Sequence, residues 1–226
     1  MENVLAMIPA YNESEHIQRV VELTRTFLPV LVVDDGSADD TPHLAEVAGA
    51  EVLRQVPNQG KGAALRAGFR RAIELGYEAA ITLDGDGQHD PQEIPAFLKA
   101  SGAGHPDLLI GERQYSAMPI VRRTSNTIGR WMMNWALGQH IPDNQSGYRL
   151  LSRRMMEAML ASQERSFEFE VEMIATCLLK DYQLAWLSIR TIYAGEYSHI
   201  QPARHVVHFF RITWQTRQRM RSGRRG

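Results

Sequence analysis

The sequence predicts an α/β fold in which helices cover both faces of a mostly parallel central sheet. Three observations carry that expectation. Through residue 113, short and nearly all-apolar runs alternate with helix-period runs, the pattern of strands buried on both faces. Polar or acidic residues close those apolar runs one after another, at the strand ends where ligands of open α/β sheets bind. One closing stretch, Ile81-Thr82-Leu83-Asp84-Gly85-Asp86-Gly87-Gln88-His89-Asp90-Pro91, sets two carboxylates among glycines directly after a strand.

Val4 to Ile8 reads as the first strand, stopped by Pro9-Ala-Tyr-Asn-Glu13. A helix follows with Ile17, Val20, Val21 and Leu23 at helical spacing, and Asn12 or Ser14 as its expected cap. Val30 to Val33 is a second strand ending in Asp34-Asp35-Gly36-Ser37. Asp39-Asp40-Thr41-Pro42 opens the next helix, with proline in its first turn. Glu51 to Val56 is a third strand; after Asn58-Gln-Gly-Lys-Gly62 an alanine-rich helix runs to about Leu75. The fourth strand, Ala79 to Leu83, enters the acidic stretch, and Pro91 starts another helix. Asp107 to Ile110 is a fifth strand, ending in Gly111-Glu-Arg113. Beyond it the rhythm changes. Arg122-Arg123 precede a helix from Ser125 to about Leu137 carrying Trp131 and Trp135, and Asp143-Asn-Gln-Ser-Gly-Tyr-Arg149 leads into a short strand. Met155 to Leu160 and Phe167 to Leu179 are helical, and Leu184 to Ile192 is a last strand. With no internal repeat and no low-complexity linker, the chain reads as one domain.

Composition narrows the classes. The 226 residues are 44% hydrophobic and 23% charged, as in a globular protein with a real core. The single Cys177 excludes a disulfide framework, points to a reducing compartment, and sits in an apolar helical run as a packing residue. The N-terminus lacks the basic and apolar regions of a signal peptide, and no run of about 18 uncharged apolar residues reads as a membrane span. Charge is asymmetric. Residues 201–226 hold seven arginines and no acid, leaving 18 basic against 26 acidic residues in the remainder. A basic tail on an acidic body suggests an anionic partner, membrane or nucleic acid; nucleic acid rests on the tail alone and is set aside.

In an extended segment, residues i and i+2 point the same way, so Asp84 and Asp86 can share one hard divalent cation. Gln88 could add a carbonyl oxygen. Asp-Gly-Asp-Gly is equally good turn chemistry, and on the motif alone both readings stand. Sharper motifs fail on spacing. An EF-hand loop from Asp84 would need Gly at His89 and Glu at Pro95, and a dinucleotide fingerprint would need Gly at Asp90. A Walker loop would need Gly at Gln55 and Ser or Thr at Gly62.

Taken together, Pro9-Ala-Tyr-Asn-Glu13, Val33-Asp-Asp-Gly-Ser37, Asn58-x-Gly-Lys-Gly62, Asp84-Gly-Asp-Gly-Gln-His89, Gly111-x-Arg113, Arg122-Arg123 and Asp143-x-x-Ser-Gly-Tyr-Arg149 form an ordered set. That set resembles the family 2 glycosyltransferases of the GT-A fold, in the dolichyl-phosphate mannosyltransferase-like branch. The resemblance spans about residues 4–200, implying a catalytic domain over 1–200 and a basic amphipathic tail over 201–226. It implies a nucleotide-sugar pocket from Pro9, Tyr11, Glu13, Asp35, Lys61, Asp84 and Gly85. It implies Mg²⁺ or Mn²⁺ on Asp84 and Asp86, with Gln88 as third ligand. Arg113, Arg123 and Arg149 resemble the residues facing a diphosphate or an anionic acceptor; His199 reads either as approaching the metal or phosphates or as a surface or packing histidine. Asp143 is the candidate base or acceptor-orienting group, with a turn role as its alternative. The implied reaction is metal-dependent, inverting transfer of a sugar from GDP-mannose or a UDP-hexose.

The implied acceptor is a lipid or glycan, such as a polyprenyl phosphate at a membrane, with the chain in the cytoplasm or at the inner membrane face. In the tail Val206, Phe209, Phe210 and Trp214 share a helical face, which fits either an interfacial helix or packing on the body. For Glu168, Glu170 and Glu172 a solvated acidic face is the default reading, with Glu168 or Glu170 pairing to a site arginine as the other. Rival classes are a phospho-receiver domain, which would be shorter, a sugar nucleotidyltransferase, whose glycine-rich N-terminal loop is missing, and a catalytically silent nucleotide-sugar scaffold.

Overall fold

The computed structural model describes residues 3–113, 131–165, 168–190 and 213–222. The strands are β1 Val4–Ala10, β2 Val30–Asp34, β3 Glu51–Arg54, β4 Ala79–Thr82, β5 Leu108–Arg113, β6 Arg149–Ser152 and β7 Leu184–Ile189. They form one seven-stranded sheet in the order β3-β2-β1-β4-β6-β5-β7. Four of the six pairings are parallel; β6 alone runs backwards, between β4 and β5.

The apolar strands divide their residues between two cores, as a period of two requires. Leu5 and Met7 of β1, Leu31 and Val33 of β2, and Leu108 and Ile110 of β5 face one core. Val4, Ala6, Ile8, Val30, Val32 and Leu109 face the other. The first core lies under α3 (Lys61–Glu74), α6 (Arg153–Met159) and α7 (Glu168–Leu179), with Phe69 stacked on Phe169. The second lies under α1 (Ile17–Thr24), α2 (Thr41–Val47) and α4 (Ile94–Gly104), the last entered through a 3-10 turn at Pro91–Glu93. A helix spanning residues 131–137, α5, precedes the Asp143 segment, and a helix spanning 213–222, α8, lies against α7.

Two local expectations are corrected. Neither Asn12 nor Ser14 caps α1, which begins at Ile17 with His16 in the cap position and no side-chain cap bond. Asn12 instead has φ 57° and accepts the Ala38 N–H at 2.9 Å, while Ser14 N–H donates to Asp39. Both residues therefore knit the β1 exit to the β2 exit. The triad Glu168, Glu170 and Glu172 is not a solvated face. All three are 9% exposed or less. Cys177 is buried in the first core as a packing residue, and its thiol is pushed up to about 12 by burial.

The described part of the tail packs on the body. Met220 is 2% exposed within the first core, and Arg219 pairs with Glu172 at 2.6 Å. Phe209, Phe210 and Val206 lie outside the described residues. Aromatic surface nevertheless stays open beside α8: Trp135 and Trp214 stack with ring centroids 6.5 Å apart, Arg217 covers the Trp135 ring, and Trp131 is 72% exposed.

Candidate active site

The parallel strands β1, β2 and β4 all deliver their carboxyl ends to one rim. There Pro9, Tyr11, Glu13, Asp35, Lys61, Asp84 and Gly85, together with Ala10, Asn58, Gly60, Ala64 and Asp86, line one cavity of about 330 Å³. Every residue expected to contact a nucleotide-sugar is among them.

Each wall has a local cause. Asp35 follows β2, and its carboxylate accepts the Gln59 N–H at 2.8 Å and the Gly60 N–H at 2.7 Å, pinning the loop that enters α3. Gly60 has φ 95°, and a β-carbon there would stand 2.2 Å from the Arg165 carbonyl oxygen, so the position requires glycine. The Gly62 N–H donates to the same carbonyl at 2.9 Å. Arg66, a turn further along α3, donates to the carbonyls of Ser162 and Glu164. The loop before α7 is thereby held against the start of α3, which brings Glu170 of α7 to Lys61.

Lys61 lies between two carboxylates. Its Nζ is 2.7 Å from Asp84 Oδ1 and 2.8 Å from Glu170 Oε1. Burial alone would lower its pKa; the two carboxylates outweigh that and hold the ammonium above its usual range. Burial likewise pushes Asp84 up, but Lys61 dominates and brings it to about 2. Asp86 moves the other way, raised by burial and then by the charge of Asp84. Gly147, just before β6, closes this side: a β-carbon would come within 2.8 Å of Asp84 Oδ2 and 3.1 Å of Lys61 Nζ.

The turn and the acidic pair prove compatible. The Gln88 N–H donates to Asp86 Oδ1 at 2.9 Å, a local Asx turn, while Asp84 reaches Lys61. His89 is buried behind it. The Asp84 N–H donates to His89 Nδ1 at 3.0 Å, so that nitrogen carries no proton and the ring is neutral, protonated on Nε2. Burial, the first cause of its lowered pKa, agrees. The 3.8 Å between His89 Nδ1 and Asp84 Oδ2 is therefore not an ion pair. Tyr148 stacks between His89 and Phe97 and donates its hydroxyl to the Asp90 carbonyl, so the acidic turn rests on an aromatic column.

Of the three arginines, Arg123 lies outside the described residues, as does His199. Arg113, at the end of β5, grips Asp143 with a two-point fork, Nε to Oδ2 at 2.7 Å and Nη2 to Oδ1 at 2.9 Å. Asp143 is fully buried and also accepts the Gln145 N–H. Burial raises its pKa, but the Arg113 fork prevails and leaves it below the usual carboxylate range. A carboxylate so occupied is a poor proton acceptor; the geometry is that of an anchor for Arg113 and for the turn. Arg149 is fully buried instead of facing the cavity. Its guanidinium donates to the carbonyls of Ser146, Glu170 and Asn144, fastening the turn before β6 to α7.

Gly147 is a neighbour of the site that the sequence reading did not name, and Glu170 enters that reading only as the alternative partner of a site arginine. Glu170 meets the side chain of a lysine, not of an arginine. Among the described residues no three His, Cys, Asp or Glu side chains gather as a metal site. On the acidic turn, Asp84 and Asp86 are the two carboxylates that could hold a divalent cation. That is a partial set of hard oxygens suited to an ion that completes its shell with water and phosphate. A second cavity, about 420 Å³ between α7 and α8, is lined by Glu164, Glu168, Glu172 and Arg219, away from the rim.

Sheet order and pocket together define a GT-A-type glycosyltransferase, and the likeness to solved structures supports the fold. Glucosyl-3-phosphoglycerate synthase from Mycobacterium tuberculosis, solved with Mn²⁺, UDP-glucose and phosphoglyceric acid, superposes with a TM-score of 0.73 at 17% identity, covering 95% of this chain and 78% of that one. Undecaprenyl-phosphate mannosyltransferase of Micrococcus luteus is 34% identical over 188 residues, 75% of each chain. Polyprenol monophosphomannose synthase of Mycolicibacterium smegmatis is 33% identical over 192 residues, 76% of this chain and 71% of that one. The profile of glycosyl transferase family 2 matches residues 6–160. The chain belongs to glycosyl transferase family 2.

Proposed function

We propose that this glycosyltransferase moves a hexosyl group from a nucleotide-diphosphate sugar, GDP-mannose or a UDP-hexose, to a polyprenyl phosphate at the inner face of a membrane. In this reading residues 1–200 are the catalytic unit and 201–226 the tail. The observation that carries the reading is the one cavity that Asp84, Asp86 and Lys61 share with Pro9, Tyr11, Glu13 and Asp35. The acceptor follows from the relatives, whose names specify undecaprenyl phosphate and polyprenol.

The chemistry suits the residues. A phosphate oxygen of the acceptor attacks the anomeric carbon as the bond to the nucleoside diphosphate breaks, with inversion. The acceptor is already an anion, so no general base is required, in keeping with an Asp143 committed to Arg113. Asp84 and Asp86, with Gln88 on the same turn, would hold Mg²⁺ or Mn²⁺, which supplies positive charge to the departing diphosphate. Arg113 at the rim, and Arg123 on the segment beyond it, add guanidinium charge suited to phosphate oxygens. Arg149 contributes from beneath, by fixing the turn that carries Gly147.

No described helix is long and apolar enough to cross a membrane. Contact with the bilayer is assigned to Trp131, Trp135 and Trp214, which share an open surface with Arg217; indole rings beside arginine suit the headgroup layer. Trp135→Ala with Trp214→Ala should reduce co-sedimentation with vesicles of phosphatidylglycerol and phosphatidylcholine, and unchanged binding removes the membrane assignment. The function itself is tested by calorimetric titration with GDP-mannose and UDP-glucose, each with Mn²⁺ and with EDTA, followed by transfer to undecaprenyl phosphate. Metal-dependent binding of one donor and a lipid-linked product are expected. If a nucleotide-sugar binds but no lipid-linked product forms, the silent nucleotide-sugar scaffold takes its place; if neither nucleotide-sugar binds, the reading fails.

A further inference from the structure

We propose that Lys61 is a resident counter-ion for the acidic site and that Glu170 is a positioning residue that draws it off Asp84 when a divalent cation arrives. The inference deepens the reading above and rests on Asp84 being a metal ligand. Three observations support it. The ammonium stands 2.7 Å from Asp84 Oδ1. A divalent ion on the same carboxylate would repel that ammonium at close range, so cation binding disfavours the Lys61–Asp84 contact. The displaced ammonium has somewhere to go: Glu170 Oε1 is already 2.8 Å from it, and the Glu170 side chain is only 6% exposed. Finally, the handover needs no backbone motion. Glu170 is fixed by α7, by the Arg149 guanidinium on its carbonyl, and by the loop that Arg66, Gly60 and Gly62 hold against α3. Lys61 has only to rotate about its own flexible stem.

The arrangement solves an electrostatic difficulty. Asp84 and Asp86 are two carboxylates on one turn, and their like charges repel when no cation lies between them. Lys61 neutralises the pair at rest. Glu170 then receives the lysine, so that it neither blocks the incoming ion nor is left as a second unpaired cation next to it. Removing Lys61 should therefore strengthen metal binding, the reverse of what the loss of a general structural contact does. Removing Glu170 should weaken metal binding, and only while Lys61 is present.

The test is binding of Mn²⁺ alone, without nucleotide, read from the electron paramagnetic resonance signal of the free ion. The full chain would be compared with Lys61→Met, Lys61→Arg, Glu170→Gln and the Lys61→Met/Glu170→Gln double variant, each checked by thermal unfolding. Lys61→Met should bind Mn²⁺ at least about tenfold more tightly, Lys61→Arg should stay within about threefold of the parent, and Glu170→Gln should bind about threefold or more weakly. In the Lys61→Met background, Glu170→Gln should have no further effect, because coupled residues are non-additive. If Lys61→Met fails to fold, the double variant, which removes both buried charges together, replaces it in the comparison with the parent and should still bind more tightly. Equal or weaker binding in Lys61→Met overturns the counter-ion role. A Glu170→Gln effect that persists undiminished without Lys61 overturns the positioning role and leaves only bulk charge. If neither the parent nor Lys61→Met binds Mn²⁺, the metal reading of Asp84 falls and this inference with it. If the parent binds and Asp84→Asn does not, that reading stands and the Lys61 comparison alone decides.

Discussion

Replacing Asp143 by asparagine separates two roles for one carboxylate. In the structure Asp143 is fully buried, both its oxygens are taken by the Arg113 fork, and one also accepts the Gln145 N–H. Asparagine keeps one acceptor oxygen but turns an NH₂ toward the guanidinium and removes the charge. Breaking a buried ion pair on one side typically costs about 3–5 kcal/mol. Arg113 retains 18% exposure and can partly rehydrate, which lowers the expected loss to about 2–3 kcal/mol. In urea at pH 7 the midpoint should fall by about 1 M. The pH dependence has a definite sign. Asp143 has a folded pKa below its unfolded value of about 3.9, so between the two the unfolded chain binds more protons. Its contribution is present above the unfolded value and is lost as pH falls through the folded one, so parent and variant should converge as the pH drops below it. A general-base role predicts something else: kcat reduced by about 10²–10⁴-fold, with a lost acidic limb in the pH profile and little change in stability. That outcome, with less than about 0.5 kcal/mol of destabilisation, would refute the anchor argued here.

Four further outcomes are expected. Asp84→Asn and Asp86→Asn should each reduce transfer by about 10²-fold or more while the unfolding midpoint stays close to that of the parent; ordinary turnover at ordinary metal levels would sink the metal assignment. Gly147→Ala places a β-carbon 2.8 Å from Asp84 and should weaken calorimetric donor binding about tenfold without unfolding the chain, whereas unchanged affinity would show that the rim yields freely. Asp107 accepts from Arg154, from Ser152 Oγ and from the Gln183 N–H, tying the starts of β5 and β7 to the end of β6. Asp107→Asn should cost about 2–4 kcal/mol by urea unfolding at pH 7 and progressively less below pH 4, its pKa being lowered by those donors against burial. Native Cys177 should resist thiol reagents at pH 8 and react fully in denaturant; rapid native labelling would contradict its burial.

Much of the architecture could be read from residues because its signal is local. Apolar runs such as Val30–Asp34 have no other stable reading than a doubly covered strand, and Pro42 and Pro91 mark helix entries wherever they fall. The direction of β6 could not be read. Four residues, Arg149–Ser152, carry a period but no polarity, and only the register of Thr82 and Ile110 against Arg149 reveals the reversal. In the site, acidic residues at strand ends advertise themselves, whereas partnerships across the chain do not. Lys61 and Glu170 are 109 positions apart, and Glu170 stands in a run whose composition imitates a wetted helix face. Arg149 misled for a related reason: arginine is rarely buried, so an arginine in a site motif reads as a phosphate ligand until three carbonyls are found around it. Asn12 was read as a helix cap because its type suits one, but the helix starts later and the side chain bridges two strand exits instead.

The Arg113–Asp143 fork also bears on chain closure. It joins two residues 30 positions apart, at the end of β5 and ahead of β6. The described part of the connection between them is not loose: Leu137 of α5 and Ile141 after it are buried in the first core. With its ends tied, a connection costs only about 0.6 kcal/mol more in closure entropy when its length doubles. A change of length there would therefore act on the packing of α5 before it reached the donor cavity, whose walls come from β1, β2, α3 and β4.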